Sequence, residues 1–328
     1  MSDPVLSLED LTVTFGTRRG PARAVAGVSW SVARGETLAL VGESGSGKSM
    51  SVLAATGLAP RSAQVSGKVR LHGEDLLADT EAGRRRRRGR HIGFVFQDPM
   101  TSLNPVLPIG RQVGEASEEH LGLTRRQARD RAVELLDLVG IPSARERVDS
   151  FPHQFSGGMR QRVVIAMALA CDPDLLIADE PTTALDVTTQ AQIVELVARL
   201  QDRLGTAVVW ITHDLGVVAG IADRVGVMYG GRIVEQARVD DLFADPSHPY
   251  TQALLAARPD PAHAGGELLA ISGSPPSPLE LPQGCAFWPR CPVRGDARCE
   301  HELPPLREVG GGHVVRTFYR SETIGRSA

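Results

Sequence analysis

Val5–Phe15 (VLSLEDLTVTF) alternates apolar and polar side chains, the period of a half-buried strand, and reads as an edge strand. Ala24–Val32 repeats the alternation and predicts a second strand. Glu36–Val41 (ETLALV) is a short apolar run between turn residues, the pattern of a strand buried on both faces. A glycine-rich loop follows, and Lys48–Gly57 then has helical composition. Val69–Leu76 and His91–Phe96 read as strands, with the charged stretch Thr80–Arg90 between them read as a loop or helix end. Ile109–Gly140 and Ser143–Val148 have helical patterning, with Leu135, Leu136 and Leu138 at core positions. Met159–Ala170 and Thr188–Leu204 predict amphipathic helices, Leu175–Ala178 and Ala207–Thr212 buried strands. Val225–Tyr229 and Arg232–Gln236 form a hairpin about Gly230-Gly231.

Strands alternating with helices imply a parallel sheet covered on both faces, led here by antiparallel strands. After Asp245 the periodicity fades: Pro246, Pro249, Pro259, Pro261, Pro275, Pro276, Pro278 and Pro282 mark a proline-rich tail. At roughly 100–200 residues per domain, 328 residues suit two domains or one with an appendage. A hydrophobic share of 42% and a charged share of 23% exclude a disordered chain. The net charge of -3 offers nothing to nucleic acid globally. No apolar run reaches the roughly 18 residues of a membrane span, and the start lacks the form of a signal peptide, so a cytoplasmic location is expected. Lys48 and Lys68 are the two lysines among 36 basic residues, which makes Lys48 conspicuous.

Lys48 belongs to Gly42-Glu43-Ser44-Gly45-Ser46-Gly47-Lys48-Ser49, a match to GxxxxGK(S/T) between a strand and a helix. Gly42, Ser44, Gly45, Ser46 and Gly47 let backbone N–H groups converge on a phosphate, Lys48 reaches the β- and γ-phosphates, and the Ser49 hydroxyl binds Mg²⁺. Leu175–Glu180 (LLIADE) is an apolar strand ending in two carboxylates: Asp179 suits Mg²⁺, and Glu180 suits a general base toward water. Ser156, Gly157 and Gly158 stand at a helix start, where N–H groups grip an anion.

Phe155–Arg162 (FSGGMRQR) resembles the LSGGQ signature of ATP-binding-cassette (ABC) proteins. The resemblance implies that Ser156, Gly157 and Gly158 hold the γ-phosphate of an ATP bound to the opposite subunit. It carries Gln97 over as the glutamine that senses Mg²⁺ and water, Asp186 in Thr183–Asp186 as the D-loop aspartate, His213 as the switch histidine on the γ-phosphate, and Phe15 as the aromatic stacked on adenine. Gln97–Pro105 (QDPMTSLNP), Phe151–Phe155 (FPHQF), Ala178–Val187 (ADEPTTALDV) and His248–Thr251 (HPYT) are similar to ATPase subunits of oligopeptide/dipeptide permeases. The likeness implies an α/β P-loop NTPase of the ABC type: a RecA-like parallel-sheet core, an N-terminal antiparallel β subdomain and an α-helical subdomain at about 98–160, within an ATPase domain of residues 1–245, and an irregular extension of residues 246–328. It further implies an ATP-hydrolysing importer subunit bound peripherally at the cytoplasmic face of the membrane. Its partners would be a homologous second ATPase or another copy, two transmembrane permease subunits and an external solute-binding protein, with no nucleic acid. Nickel or another small solute is the alternative cargo, and a non-transport ABC ATPase the alternative role.

Arg84–Arg88 reads as a solvated loop or, alternatively, a basic arm. Cys285, Cys291 and Cys299 crowd the tail and resemble a family motif that carries an iron–sulfur cluster in some members when a fourth cysteine follows. The matching stretch Val314–Phe318 has none. The thiols either hold a cluster, with His301 or His313 completing the donors, or stay reduced and unliganded.

Overall fold

The structure, a computed structural model, describes residues 3–183, 185–257, 271–294 and 296–318. Met1, Ser2, Ala184, Pro259 and Pro261 of the reading above lie outside the described residues. In chain order the elements are β1 (Pro4–Thr17), β2 (Gly20–Ala33), β3 (Thr37–Val41), α1 (Lys48–Ala55), β4 (Ala63–Leu71), β5 (Glu74–Asp75), α2 (Glu81–Arg90), β6 (Ile92–Val95), α3 (Pro99–Ser102), α4 (Ile109–Leu121), α5 (Arg125–Leu138) and α6 (Ala144–Arg147). They continue with α7 (Gly157–Ala168), β7 (Leu175–Asp179), α8 (Val187–Leu204), β8 (Ala207–Ile211), α9 (Leu215–Ile221), β9 (Arg224–Tyr229), β10 (Arg232–Arg238), α10 (Val239–Ala244), α11 (Pro249–Ala256), α12 (Arg298–His301), β11 (Leu306–Gly310) and β12 (His313–Arg316).

Contacts divide the chain into two compact units. The first comprises Met1–Leu6, Ser31–Thr37 and Arg70–Ile211. Its β6, β7 and β8 run parallel, with Ile92 opposite Leu175 and Leu175 opposite Ala207. Every residue of β8 is buried, as the uninterrupted apolar run requires. The long helical stretch after residue 109 breaks in two: Gly122 closes α4 in the left-handed conformation, and Thr124 with Gln127 forms a capping box that starts α5. Both helices pack on α7.

The charged stretch read as a loop or helix end is helical from Glu81 to Arg87, with a break at Arg88 (ψ 133°) and Gly89 (φ 84°). Thr80 caps α2 by accepting a hydrogen bond from the Gly83 N–H, and arginine is itself a good helix former. Four arginines of the run are paired with acids of the chain: Arg84 and Arg88 with Glu81, Arg87 with Asp79 and Glu74, Arg85 with Glu119. That pairing gives the run an internal role as a charged helix face.

The second unit comprises Ser7–Trp30, Leu38–Val69 and Thr212–Ala328. Here β3 runs parallel to β9, and β9 turns into β10 through Gly230 and Gly231, both at positive φ (54° and 74°), the torsions a tight two-residue hairpin demands. β1 is an inner strand between β2 and β4, not an edge. Alternation reports that one face is buried, which inner and edge strands share. The strand expected at Val69–Leu76 instead covers Ala63–Leu71 as β4, with β5 following the turn at His72 (φ 50°). The tail holds more regular structure than its prolines suggest. β12 joins β10 antiparallel, placing Val315 opposite Glu235, and β11 pairs with β12. Tyr229, Tyr250 and Phe287 stack in a buried cluster with ring centroids 4.5–5.3 Å apart.

A candidate nucleotide site

In the second unit the loop between β3 and α1 folds as its motif demands. Gly42 and Gly47 have φ of 144° and 99°; a Cβ on the first would stand 2.1 Å from the Met228 carbonyl oxygen, and on the second 2.6 Å from that of Ala24. No side chain caps α1, and a helix start of this kind suits an anion. Lys48 is buried, and its Nζ donates to the carbonyls of Gly42 (2.8 Å) and Glu43 (3.0 Å) and stands 3.5 Å from Ser46 Oγ. Ser44 and Gly45 are exposed, Ser46 buried and Ser49 half-buried. His213 is exposed beyond β8, its backbone fixed between Thr212, whose N–H bonds the Leu40 carbonyl, and Asp214, which caps α9. Phe15 is half-buried near the end of β1.

In the first unit β7 ends at Asp179 and Glu180 follows at φ 47°, its N–H bonded to the Ile211 carbonyl. Glu180 Oε2 accepts from Gln97 Nε2 at 3.2 Å and from Thr183 Oγ1 at 2.9 Å. Two donors thus aim the carboxylate, and the second, Thr183, had no assigned role in the sequence reading. Ser156 caps α7 by accepting from the Met159 N–H. A Cβ on Gly158 would meet the Thr189 methyl at 2.6 Å, whereas one on Gly157 would make only an ordinary contact with Leu185 Cδ2 at 4.0 Å. Asp186 caps α8, and hydrogen bonds from the Thr189 N–H and hydroxyl hold its carboxyl below the usual aspartate range. On either side of Gln97 the chain exposes Phe96, Met100 and Val106, with Met100 61% and Val106 74% accessible.

Among the described residues the tail cysteines form no disulfide. Cys285, Cys291 and Cys299 line one cavity with His248, Arg316 and Thr317, so the structure brings the cysteines together. The other suggested donors are elsewhere: His313 Nε2 bonds buried Glu235 at 2.7 Å, and exposed His301 neighbours Glu300. His248, quoted earlier only for family likeness, takes their place, but its Nδ1 already accepts from the Tyr250 N–H. The cavity is about 10 Å³, room for about one water. Burial pushes the Cys285 thiol up to about 11. Among the described residues the one trio of ligating atoms lying within 4.8 Å of each other is His72, His91 and Asp174, not the thiols. Three thiols around so small a space do not fit an iron–sulfur cluster.

Comparison with known proteins agrees with the motifs. A family described as ABC transporter matches residues 25–183, and one described as oligopeptide/dipeptide transporter, C-terminal region, matches residues 234–299. The oligopeptide transport ATP-binding protein OppD of Bacillus subtilis is 50% identical over 317 residues, covering 96% of this chain and 88% of that protein. The OppD of Salmonella typhimurium is 47% identical, covering 98% and 95%. The OppD of Mycobacterium tuberculosis is 51% identical across 99% of this chain, which spans only 53% of that longer relative. Among solved structures, the dimeric post-hydrolysis state of the ATP-binding cassette MJ0796, bound to ADP and phosphate, has a TM-score of 0.64 at 28% identity, covering 71% of this chain and 98% of that one. CbiO1 of Clostridium perfringens, part of a cbiONQ transporter complex, gives 0.64 at 30% identity, covering 74% and 92%. The chain belongs to the ABC transporter family, as an ATP-hydrolysing subunit of its oligopeptide/dipeptide transporter branch.

Proposed function

We propose that this chain drives import of oligopeptides, using ATP to move partner permease subunits. The reading rests on the likeness to oligopeptide transport ATP-binding proteins over nearly the whole chain. One geometric observation carries its hydrolytic part: Glu180, at the end of a buried strand, has its carboxylate aimed by Gln97 and Thr183. A fixed carboxylate is suited to taking a proton from water as it attacks phosphorus.

Each remaining residue has its part in that reading. The N–H groups of Gly42–Gly47 and the Lys48 ammonium bind the phosphates, and Phe15 stacks on adenine. The Ser49 hydroxyl and the Asp179 carboxylate are ligands for Mg²⁺, which when bound neutralises phosphate charge. Gln97 orients water, and His213 contacts the γ-phosphate. Ser156, Gly157 and Gly158 offer an anion-binding helix start to the ATP of an opposite subunit, a head-to-tail arrangement with Asp186 at the joint. The opposite subunit is a homologous ATPase or a second copy.

Two permease subunits and an external binding protein complete the machine, with this chain on the cytoplasmic face; no helix among the described residues is long and apolar enough to cross a membrane. Exposed Phe96, Met100 and Val106 suit a permease loop docking beside Gln97. The tail thiols stay reduced and unliganded.

Glu180→Gln tests the hydrolytic part. ATP binding should persist while turnover of the assembled transporter falls by about 10²–10⁴, the loss typical of removing a base. Unchanged turnover would remove Glu180 from that role.

A further inference from the structure

Glu43, the second residue of the loop, has an unusual set of partners. Its carboxylate takes two hydrogen bonds from Arg290, Nη1 to Oε2 at 2.7 Å and Nη2 to Oε1 at 3.0 Å. Its N–H donates to the Tyr250 hydroxyl at 2.8 Å, and its carbonyl accepts from Lys48. Thus its amide and side chain are held by residues beyond position 248, and its carbonyl by the phosphate-binding lysine.

Arg290 is built for this task. A guanidinium has five N–H donors, and here each has a partner. Nε donates to Ser272 O, Nη1 to Glu43 and the Tyr229 hydroxyl, and Nη2 to Glu43 and Ile271 O, all within 3.1 Å. Its side chain is 6% exposed and lies against the rings of Tyr229 and Phe287. The backbone below it is the short 3₁₀ turn Trp288–Arg290, between Cys285 and Cys291. Tyr250 is fully buried in the same aromatic cluster. The clamp therefore stands on the packed base of the tail.

We propose that Arg290 and Tyr250 are positioning residues for ATP binding: the tail clamps Glu43 and so fixes the loop in the conformation that receives the phosphates. Two physical effects follow. A loop ordered before the ligand arrives need not be ordered by it, which raises affinity. Arg290 also neutralises a carboxylate that would otherwise lie beside an incoming triphosphate and repel it. A tail merely packed on the core would need no bidentate pair to the residue whose carbonyl Lys48 also holds.

The inference rests on Gly42–Ser49 being the nucleotide site. The experiment uses the full chain, ATP affinity by calorimetry, thermal unfolding, and KM and kcat in the assembled transporter. Arg290→Lys keeps the charge but lacks the fork, and should weaken ATP binding about tenfold. KM should rise with kcat at saturating ATP retained. Tyr250→Phe keeps the ring and its packing, and should weaken binding about threefold to tenfold by loss of one hydrogen bond. Glu43→Gln combined with Arg290→Lys should cost less than the two changes summed, because both break one contact. If Arg290→Lys fails to fold, Tyr250→Phe decides alone. ATP affinity within about twofold of wild type in the folded variants, or strict additivity of the pair, overturns the proposal. Lys48→Ala separates the two readings. If it leaves affinity intact, the nucleotide-site reading fails; if it destroys affinity while the tail variants keep it, only the clamp fails.

Discussion

The phosphate loop and the cysteine-bearing tail share one compact unit, yet their sequences encode structure in opposite ways. The loop does its work within eight residues: glycine torsions at Gly42 and Gly47, a lysine folded over two loop carbonyls, and an uncapped helix start. The carbonyls that Lys48 holds are its neighbours in sequence, so a short motif describes that chemistry. In the tail the decisive contacts cross long stretches of chain. Arg290 meets Glu43 across 247 positions, Tyr250 meets it across 207, and His313 meets Glu235 across 78. No local pattern announces such contacts, although every residue in them was visible. The comparison teaches that chemistry carried by the backbone is written locally, whereas a brace on that chemistry is written wherever the fold returns to it. Variants can therefore separate a loss of chemistry in the loop from a loss of architecture in the tail.

Acid should produce the largest effect, and in the tail. His248 is buried among apolar rings, which depresses its imidazole from 6.5 to about 4. Above about pH 6.5 the neutral ring is preferred in folded and unfolded chains alike, and the stabilisation is complete. As pH falls toward 4 the unfolded chain binds a proton that the folded one refuses, and roughly 3 kcal/mol is lost. His313 works oppositely: its bond to Glu235 raises its basicity, so its contribution is present in acid and lost as pH rises through its folded value. His248→Asn retains a cap acceptor for the Tyr250 N–H and removes the titration. Urea unfolding at pH 7 and pH 4.5 should show the wild type losing more stability than the variant. Parallel losses would mean that His248 is not what makes the tail acid-sensitive.

Lys48→Ala comes next, and it should act on chemistry with little effect on architecture. Losing a charged donor to the phosphates costs about 1.5–3 kcal/mol, or roughly 10- to 150-fold in ATP affinity. The melting temperature without nucleotide should move little. Calorimetry and thermal unfolding on one preparation check both halves. A large drop in melting temperature with modest loss of affinity would reverse the roles given to loop and tail.

These contrasts explain what was legible beforehand. β3, β7 and β8 were readable because a strand buried on both faces must be an apolar run, and each run ends at a site residue. Ser156 as a helix start and Glu180 as a strand end have local signatures, whereas Asp186, which caps α8, was named only through family likeness. The helix at Glu81–Arg87 was legible only as a loop or helix end because its stability comes from a cap and ion pairs instead of an apolar stripe. The hairpin of β11 and β12 was missed because it owes its place to β10 and turns through Gly310, Gly311 and Gly312 at positive φ. Thr183 went unassigned because its bond to Glu180 depends on a turn that the run of residues does not reveal.

The smallest expected effect is also the finest test of how the loop differs from the tail. Gly42 and Gly45 both stand at positive φ, for different reasons. At Gly42 a Cβ would strike the Met228 carbonyl oxygen at 2.1 Å, so Gly42→Ala must displace backbone and should abolish ATP binding. At Gly45, with φ of 78°, a Cβ meets nothing within 4 Å. Gly45→Ala therefore adds only the left-handed torsion penalty, about 1–2 kcal/mol, and leaves the N–H in place. Stability by denaturant should fall by that amount while ATP affinity changes only a few-fold. Tail glycines lack such tolerance where they are packed: a Cβ on Gly284 would lie 2.3 Å from the Cys299 carbonyl oxygen. If Gly45→Ala instead abolishes binding at unchanged stability, the bound phosphate itself approaches the Gly45 Cα. The open space at Gly45 would then be ligand space, and the loop's local code would include the shape of its ligand.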